Sequence, residues 1–328
     1  MTSSDGRART TIRVAAIDCG TNSIRLLVAD GDPQTGRLTE LTRQLQVVRL
    51  GHGVDRTGRI DPEAMTRTLT AAQQYARVCT ELGVERVRFV ATSASRDAQN
   101  AAEFVAGVRR VFAAHEVTPQ VVSGEVEAAL SFAGATAELR GSGRPGPYLV
   151  VDLGGGSTEF VLGTTRPDRA VSVDMGSVRI TERHFRADPP TPAEVAAATS
   201  DIDAALDTAL AACDPSRAGQ LVGLAGTVTT VTAHALGLPE YQRDRIHLSA
   251  VSVPDMIAAC TDLITMPRPQ RVRLPVLHPG RVDVIAAGAL LWRRIVQRVA
   301  GLSGLAEVLT SEHDILDGIA RSLLLAPQ

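Results

Sequence analysis

Two short turns in this 328-residue chain combine an aspartate with glycine and hydroxyl residues: Asp18-Cys19-Gly20-Thr21-Asn22-Ser23 and Asp152-Leu153-Gly154-Gly155-Gly156-Ser157-Thr158. Each follows one apolar run and precedes another. Glycine lets the backbone approach an anion closely, successive N–H groups converge on it, and Ser and Thr hydroxyls add donors. The pattern suggests two phosphate-gripping hairpins facing one cleft. A carboxylate facing a phosphate would repel it, so the two aspartates suit a divalent cation or an oriented water. Taken singly, each aspartate could equally cap its own turn.

The elements that must position these turns can be read along the chain. Residues 12–18 and 24–30 read as strands, 41–50 as a third, and Asp61-Pro62 as the cap and first residue of a helix reaching Leu82. Residues 87–92 read as a buried strand, 97–114 as a helix and 117–122 as a strand, after which Ser123 can cap another helix. Residues 140–147, with three glycines and two prolines, read as a surface loop. The pattern then restarts with strands at 148–152, 158–163 and 170–174, helices at 177–186 and 192–212, and a strand at 220–225 that ends in Gly226-Thr227. Helices are expected over most of the remainder, including 282–299 and 312–325. A duplicated strand-turn-strand unit with alternating helices predicts an α/β fold of two lobes around a cleft, with all three Gly-and-hydroxyl turns at strand ends, where ligands of α/β folds bind.

Composition narrows the function. A hydrophobic fraction of 44% and a net charge of −2 describe a compact chain with no bulk attraction to nucleic acid, and one Trp with three Tyr offers few stacking platforms for bases. There is no lysine, so all 34 basic residues are arginine. A P-loop lysine, a Schiff-base lysine and a lysine general base are thereby excluded, although a coding preference explains the bias as readily as function does. Cys19, Cys79, Cys213 and Cys260 are scattered without metal or disulfide spacing. The polar stretch Met1–Thr11 does not read as a secretion signal, no run has transmembrane length, and a cytoplasmic location is the default expectation.

Several further pieces complete a pattern: Ala16 to Ser23 with Arg25, Ala91-Thr92-Ser93-Ala94-Ser95-Arg96, Ser123-Gly124-Glu125-Val126-Glu127-Ala128, Asp152 to Glu159, Met175-Gly176-Ser177-Val178-Arg179, Gly226-Thr227, and Arg281-Val282-Asp283 with Gly288. In this order, and over nearly the whole chain, they resemble the Ppx/GppA phosphatases, which are exopolyphosphatases and guanosine pentaphosphate phosphohydrolases of the actin-like ATPase superfamily. The resemblance implies two actin-like, ribonuclease H-like lobes with an interdomain active site. Residues 1–123 plus about 306–328 would form lobe I and residues 124–305 lobe II. Larger relatives carry additional C-terminal helical domains, which this chain is expected to lack.

By the same resemblance, Glu127 activates the attacking water as general base, and Asp152 and Glu159 position Mg²⁺ (or Mn²⁺). Phosphate donors would be Gly20, Thr21, Asn22, Ser23, Arg25, Arg96, Gly154, Gly155, Gly156, Ser157, Thr158, Gly226 and Thr227, with Arg179 a further candidate. Val126 departs from the pattern, which often has a second glutamate there; Glu125 is the fallback base. Acidic residues also suit a first helical turn simply through the helix dipole. His313-Asp314 reads as a polar helix start, and His278-Pro279-Gly280 as turn chemistry at the edge of the cleft. The expected activity is release of terminal orthophosphate from short inorganic polyphosphate, with guanosine pentaphosphate (pppGpp) as the alternative substrate. More distant readings are a small-molecule kinase or a weakly catalytic phosphate-ligand sensor. A homodimer would lengthen the channel, and no nucleic-acid or membrane partner is expected.

Overall fold

The computed structural model describes residues 11–139 and 141–325. The readings made on Met1–Thr10, Arg140 and the last three residues lie outside the described residues. Lobe I is built on five strands, β1 Ile12–Cys19, β2 Ser23–Gly31, β3 Leu38–Val47, β4 Arg86–Ala91 and β5 Gln120–Val121, in the order β3-β2-β1-β4-β5. Lobe II has six, β6 Tyr148–Leu153, β7 Thr158–Gly163, β8 Pro167–Val173, β9 Gln220–Leu224, β10 Ser249–Ser252 and β11 Glu307–Thr310, in the order β10-β11-β9-β6-β7-β8. Both sheets start with an antiparallel three-strand meander and place the next strand parallel to the first: β4 beside β1, and β9 beside β6. The duplicated turns are therefore equivalent hairpins. Each closes with the same bond, Gly20 N–H to Ser23 O and Gly154 N–H to Ser157 O, both 3.0 Å.

Thirteen α-helices are assigned among the described residues. In lobe I they are α1 Val54–Thr57, α2 Pro62–Glu81, α3 Ser93–Asp97 and α4 Ala101–Val111. Asp61 caps α2 by accepting from Glu63 and Ala64 N–H, which fixes the start that Asp-Pro predicts. The single helix expected over 97–114 is instead two pieces, because the chain is extended at Ala98 and Asn100 turns to bond Ile60 through its side chain. The remaining helices are α5 Gly124–Leu139, α6 Ser177–His184, α7 Pro192–Ala212, α8 Ala225–Ala235, α9 Arg243–Ile246, α10 Val253–Thr265, α11 Arg268–Arg271, α12 Ile285–Ser303 and α13 Ile315–Leu325. None is long and apolar enough to cross a membrane.

The strands are mostly apolar, so both faces of each sheet need covering. On one face of lobe I, Ile17, Ile24, Leu26 and Phe89 pack against Tyr75 of α2 and Phe104 of α4. On the other face, Val14, Ala16, Leu27 and Ala29 meet Leu316, Ile319 and Ala320 of α13. In lobe II, α7, α10 and α12 cover one face around Trp292, while Ala128, Phe132 and Ala135 of α5 cover the other, against Val150 and Val161. Helices α5 and α13 also pack on each other and so form the spine between the lobes. β10 and β11, which had no counterpart in the sequence reading, extend the second sheet beyond β9.

Candidate active site

The two hairpin turns face one another and touch. Thr21 of the first turn bonds Ser93 at the start of α3 (Oγ1···Oγ 2.7 Å). A Cβ on Gly156 of the second turn would lie 2.7 Å from both hydroxyl oxygens, so the bare glycine is what allows the lobes to meet. The third turn completes the enclosure. Ala225 adopts φ 68°, a left-handed conformation costly for a residue with a Cβ, and turns β9 abruptly into α8. No side chain caps α8, and Ala225, Gly226 and Thr227 line the cleft where its free N–H groups begin.

The resulting cavity of about 100 Å³ is walled by Gly20–Ser23, Arg25, Thr92 and Ser93 from lobe I, and by Glu127, Asp152, Gly154, Gly155, Ser157, Ser177, Ala225–Thr227 and Arg281 from the other side. Gly156 and Thr158 do not line it. Gly156 borders a small gap behind it, and Thr158 Oγ1 donates to Met175 O at 2.6 Å. Glu159 is cross-strand neighbour to Asp152 but sits off the cavity wall and accepts a 2.7 Å bond from Ser172.

Five carboxylates are buried together here: Asp18, Glu127, Asp152, Glu159 and Asp314. Burial, reinforced by the charge of Asp314, pushes Asp152 up to about 7. Burial likewise pushes Glu127 to about 8, with Arg96 opposing and Asp152 and Asp18 adding. Glu159 is driven well above the carboxylate range by burial and by Glu127, and Asp18 is raised by burial despite Arg25. Helix α5 delivers two groups from one face: Glu127 in its first turn and, one helical turn later, Ser131, which donates to Asp152 Oδ2. Ser131 was not anticipated, and its spacing from Glu127 is the signal that would have found it.

All three expected phosphate-binding arginines are already engaged with protein groups. Arg25 donates to Asp18 (3.0 and 2.6 Å) and to Asp314, because the hairpin register sets it opposite Asp18. Arg96 lies off the cavity wall and holds Glu127 Oε2 and Val122 O, each at 3.1 Å. Arg179 is a strut between lobes, donating to Gly156 O (2.8 Å), Asp97 (2.6 Å) and Asp55. Asp314 does start its helix, accepting from Leu316 N–H, but it also holds Arg25 at the cleft. Glu125 is exposed at the start of α5 and does not line the cavity.

Arg281 is the cation that sequence reasoning left without a role. Its guanidinium lies flat over Gly226, where a Cβ would be 1.9 Å from its Cζ, and donates to Gly226 O at 3.3 Å. Burial lowers its pKa, and among the described residues no carboxylate forms an ion pair with it. A hard oxygen-donor set with too few counter-charges is what a magnesium or manganese ion requires, and Asp18 and Asp152 offer it on the cavity wall.

Comparison with known proteins agrees with this architecture. The chain is 47% identical over 315 residues to Exopolyphosphatase 2 of Mycobacterium tuberculosis, covering 95% of this chain and 98% of the relative. Among solved structures, an exopolyphosphatase-like protein superposes with a TM-score of 0.91 at 42% identity, covering 96% and 99% of the two chains. The Aquifex aeolicus Ppx/GppA family member superposes with a TM-score of 0.77 at 28% identity, covering 96% and 98%, and the two lobes have the actin-like fold. The model of the Ppx/GppA phosphatase family matches residues 27–319, and the chain belongs to that family.

Proposed function

We propose that the protein hydrolyses terminal phosphoanhydride bonds, releasing orthophosphate from inorganic polyphosphate. The observation that carries this reading is the pair of touching glycine turns with a buried, arginine-held Glu127 on the wall they share. Backbone N–H groups of the three turns, with Arg281, bind the terminal phosphate oxygens and compensate their charge. Arg96 fixes the Glu127 carboxylate, which accepts the proton of the attacking water in its ionised form. Asp18 and Asp152 would hold magnesium or manganese, which when bound spreads the charge on the transferred group. The contact between Gly156 and the Thr21–Ser93 pair excludes bulk water from the rear of the site. Similarity to Exopolyphosphatase 2 supports the substrate class.

A second reading, removal of the 5′ γ-phosphate of pppGpp, is favoured by a neighbouring cavity of about 560 Å³ whose wall includes Tyr241, Pro275, Leu277 and His278. That volume and those rings suit a nucleoside. Phosphate release measured with Mg²⁺ over a polyphosphate length series, pppGpp and ATP tests both. Release from polyphosphate is expected to exceed that from ATP; no release from any polyphosphate with Mg²⁺ or Mn²⁺ would overturn the reading.

A further inference from the structure

The larger cavity joins the catalytic one through shared walls at Arg25, Ala225, Gly226 and Arg281 and then follows β3 outward. Register fixes the direction: Leu45 pairs with Arg25 at the catalytic end, and Glu40 pairs with Ala29. The five-residue separation corresponds to roughly 15 Å along the strand. The pairing slips between these points, since Thr42 faces Val28 and the next pair is Glu40 with Ala29. Leu41 is therefore the extra residue of a bulge, and it is 42% exposed. Without the bulge, Glu40 would point to the opposite face from Arg43 and Leu45. With it, Glu40 shares their face and lines the cavity.

Glu40 does not stand there alone. Its Oε2 accepts from Arg43 at 2.9 Å, and its Oε1 accepts from Arg243 of α9 at 3.2 Å, a bridge from β3 of the first sheet to a helix associated with the second. Arg243 is shared with Glu312 at 3.3 Å, and Glu312 also accepts from the Tyr241 hydroxyl. Arg43 is further neutralised by Asp317 at 2.7 Å. The inner end of the cavity thus presents Arg281, which has no ion-pair partner although Glu312 and Asp314 act on it through space, and the outer end presents Glu40, whose two cations are each shared with a second carboxylate. A polyanion entering from the catalytic end meets attraction first and repulsion about 15 Å later.

We propose that Glu40, swung inward by the bulge at Leu41 and bridged to Arg243, is a chain-length determinant that admits short polyphosphates and disfavours long ones. The inference rests on the polyphosphate reading above. A short chain ends before the bridge, whereas a longer one must break an exposed ion pair and pass the Glu40 carboxylate; the pair itself is weak, so the repulsion sets the selectivity.

The test compares wild-type, Glu40→Gln and Arg243→Gln full-length proteins by kcat/KM on tripolyphosphate and on chains of increasing length. Glu40→Gln is expected to raise kcat/KM on long chains roughly fivefold or more relative to tripolyphosphate, whose turnover stays within about twofold. Arg243→Gln, which takes one of two cations from Glu40 and the hydrogen-bonded cation from Glu312, is expected to move the long-to-short ratio the opposite way. A simple loosening of the wall would move both variants in the same direction, and that result, or an unchanged ratio in Glu40→Gln, would overturn this inference alone. No release from any length by wild type would overturn it together with the reading on which it rests.

Discussion

Asp152→Asn is expected to stabilise the metal-free protein. Asp152 is buried beside Asp314 and Asp18, and its pKa rises from 3.8 in the ordinary carboxylate to about 7 in the fold, first through burial and then through those charges. The folded side chain therefore holds its proton more tightly than the unfolded one. Stability falls as pH rises from about 4 to about 7 and stays reduced above that range. A shift of about three units, at about 1.4 kcal/mol each, sets a penalty on the order of 4 kcal/mol at pH 8. At pH 5 the penalty is smaller, roughly 2 kcal/mol, because the folded group is then protonated. Asparagine keeps an oxygen for the Ser131 hydroxyl and removes the charge. Urea unfolding in EDTA should accordingly show Asp152→Asn more stable than wild type by about 1–4 kcal/mol at pH 8, with a gain less than half as large at pH 5. Added Mg²⁺ should stabilise wild type more than the variant, since the proposed metal site includes that carboxylate. A variant less stable than wild type at pH 8, or a gain independent of pH, would refute the idea that the site stores electrostatic strain.

Three further outcomes follow from the same geometry. Glu127→Gln should lower kcat by about 10²–10⁴-fold with KM little changed, and should abolish an acid limb of the kcat/KM–pH profile that lies well above the usual carboxylate range, because only the ionised base works and burial holds its pKa near 8; an unaltered profile would count against it as the base. Arg281→Ala should raise KM by roughly 10–100-fold, the value of a charge-assisted hydrogen bond, while kcat falls less; steady-state kinetics separate the two. Gly156→Ala should displace the Thr21–Ser93 pair, since the new Cβ would be 2.7 Å from each hydroxyl, costing about 1–3 kcal/mol of stability and reducing kcat/KM; wild-type stability and turnover would show that the lobes do not need this contact.

What the sequence revealed and what it hid divide along the range of the interactions. The hairpin turns were readable because glycine, hydroxyl and flanking apolar runs all lie within about a dozen residues, and the register that pairs Asp18 with Arg25 follows from the tightness of the turn. The Asp61 cap was equally local. By contrast, β10 and β11 are four residues each; β11 pairs with the edge of β9 and β10 with β11, which nothing in their own composition announces. The break after α3 depends on Asn100 reaching Ile60, 40 residues away in sequence. The ion pairs of Arg25 were hidden for a similar reason, since its second partner, Asp314, lies 289 residues downstream. The bulge at Leu41 alters no local pattern at all; only the pairing with β2 exposes it.

The arginine bias also acquires a physical sense. The buried carboxylates of the cleft need positive charge that can be held rigidly in two directions, and a guanidinium fork supplies it where a single ammonium cannot. Arg25 spans Asp18 and Asp314, Arg96 spans Glu127 and the Val122 carbonyl, and Arg179 spans three acceptors across two lobes. Each of these cations is consumed in aiming an acid or fastening a lobe. In the proposed mechanism, binding of the phosphate then falls to neutral backbone N–H groups at the three turns, to Arg281 and to the cation that Asp18 and Asp152 would hold. That division suits catalysis: donors fixed by secondary structure need no reorganisation as charge develops, and a substrate entering the cleft does not have to pull apart the ion pairs that keep Glu127 and Asp18 in place.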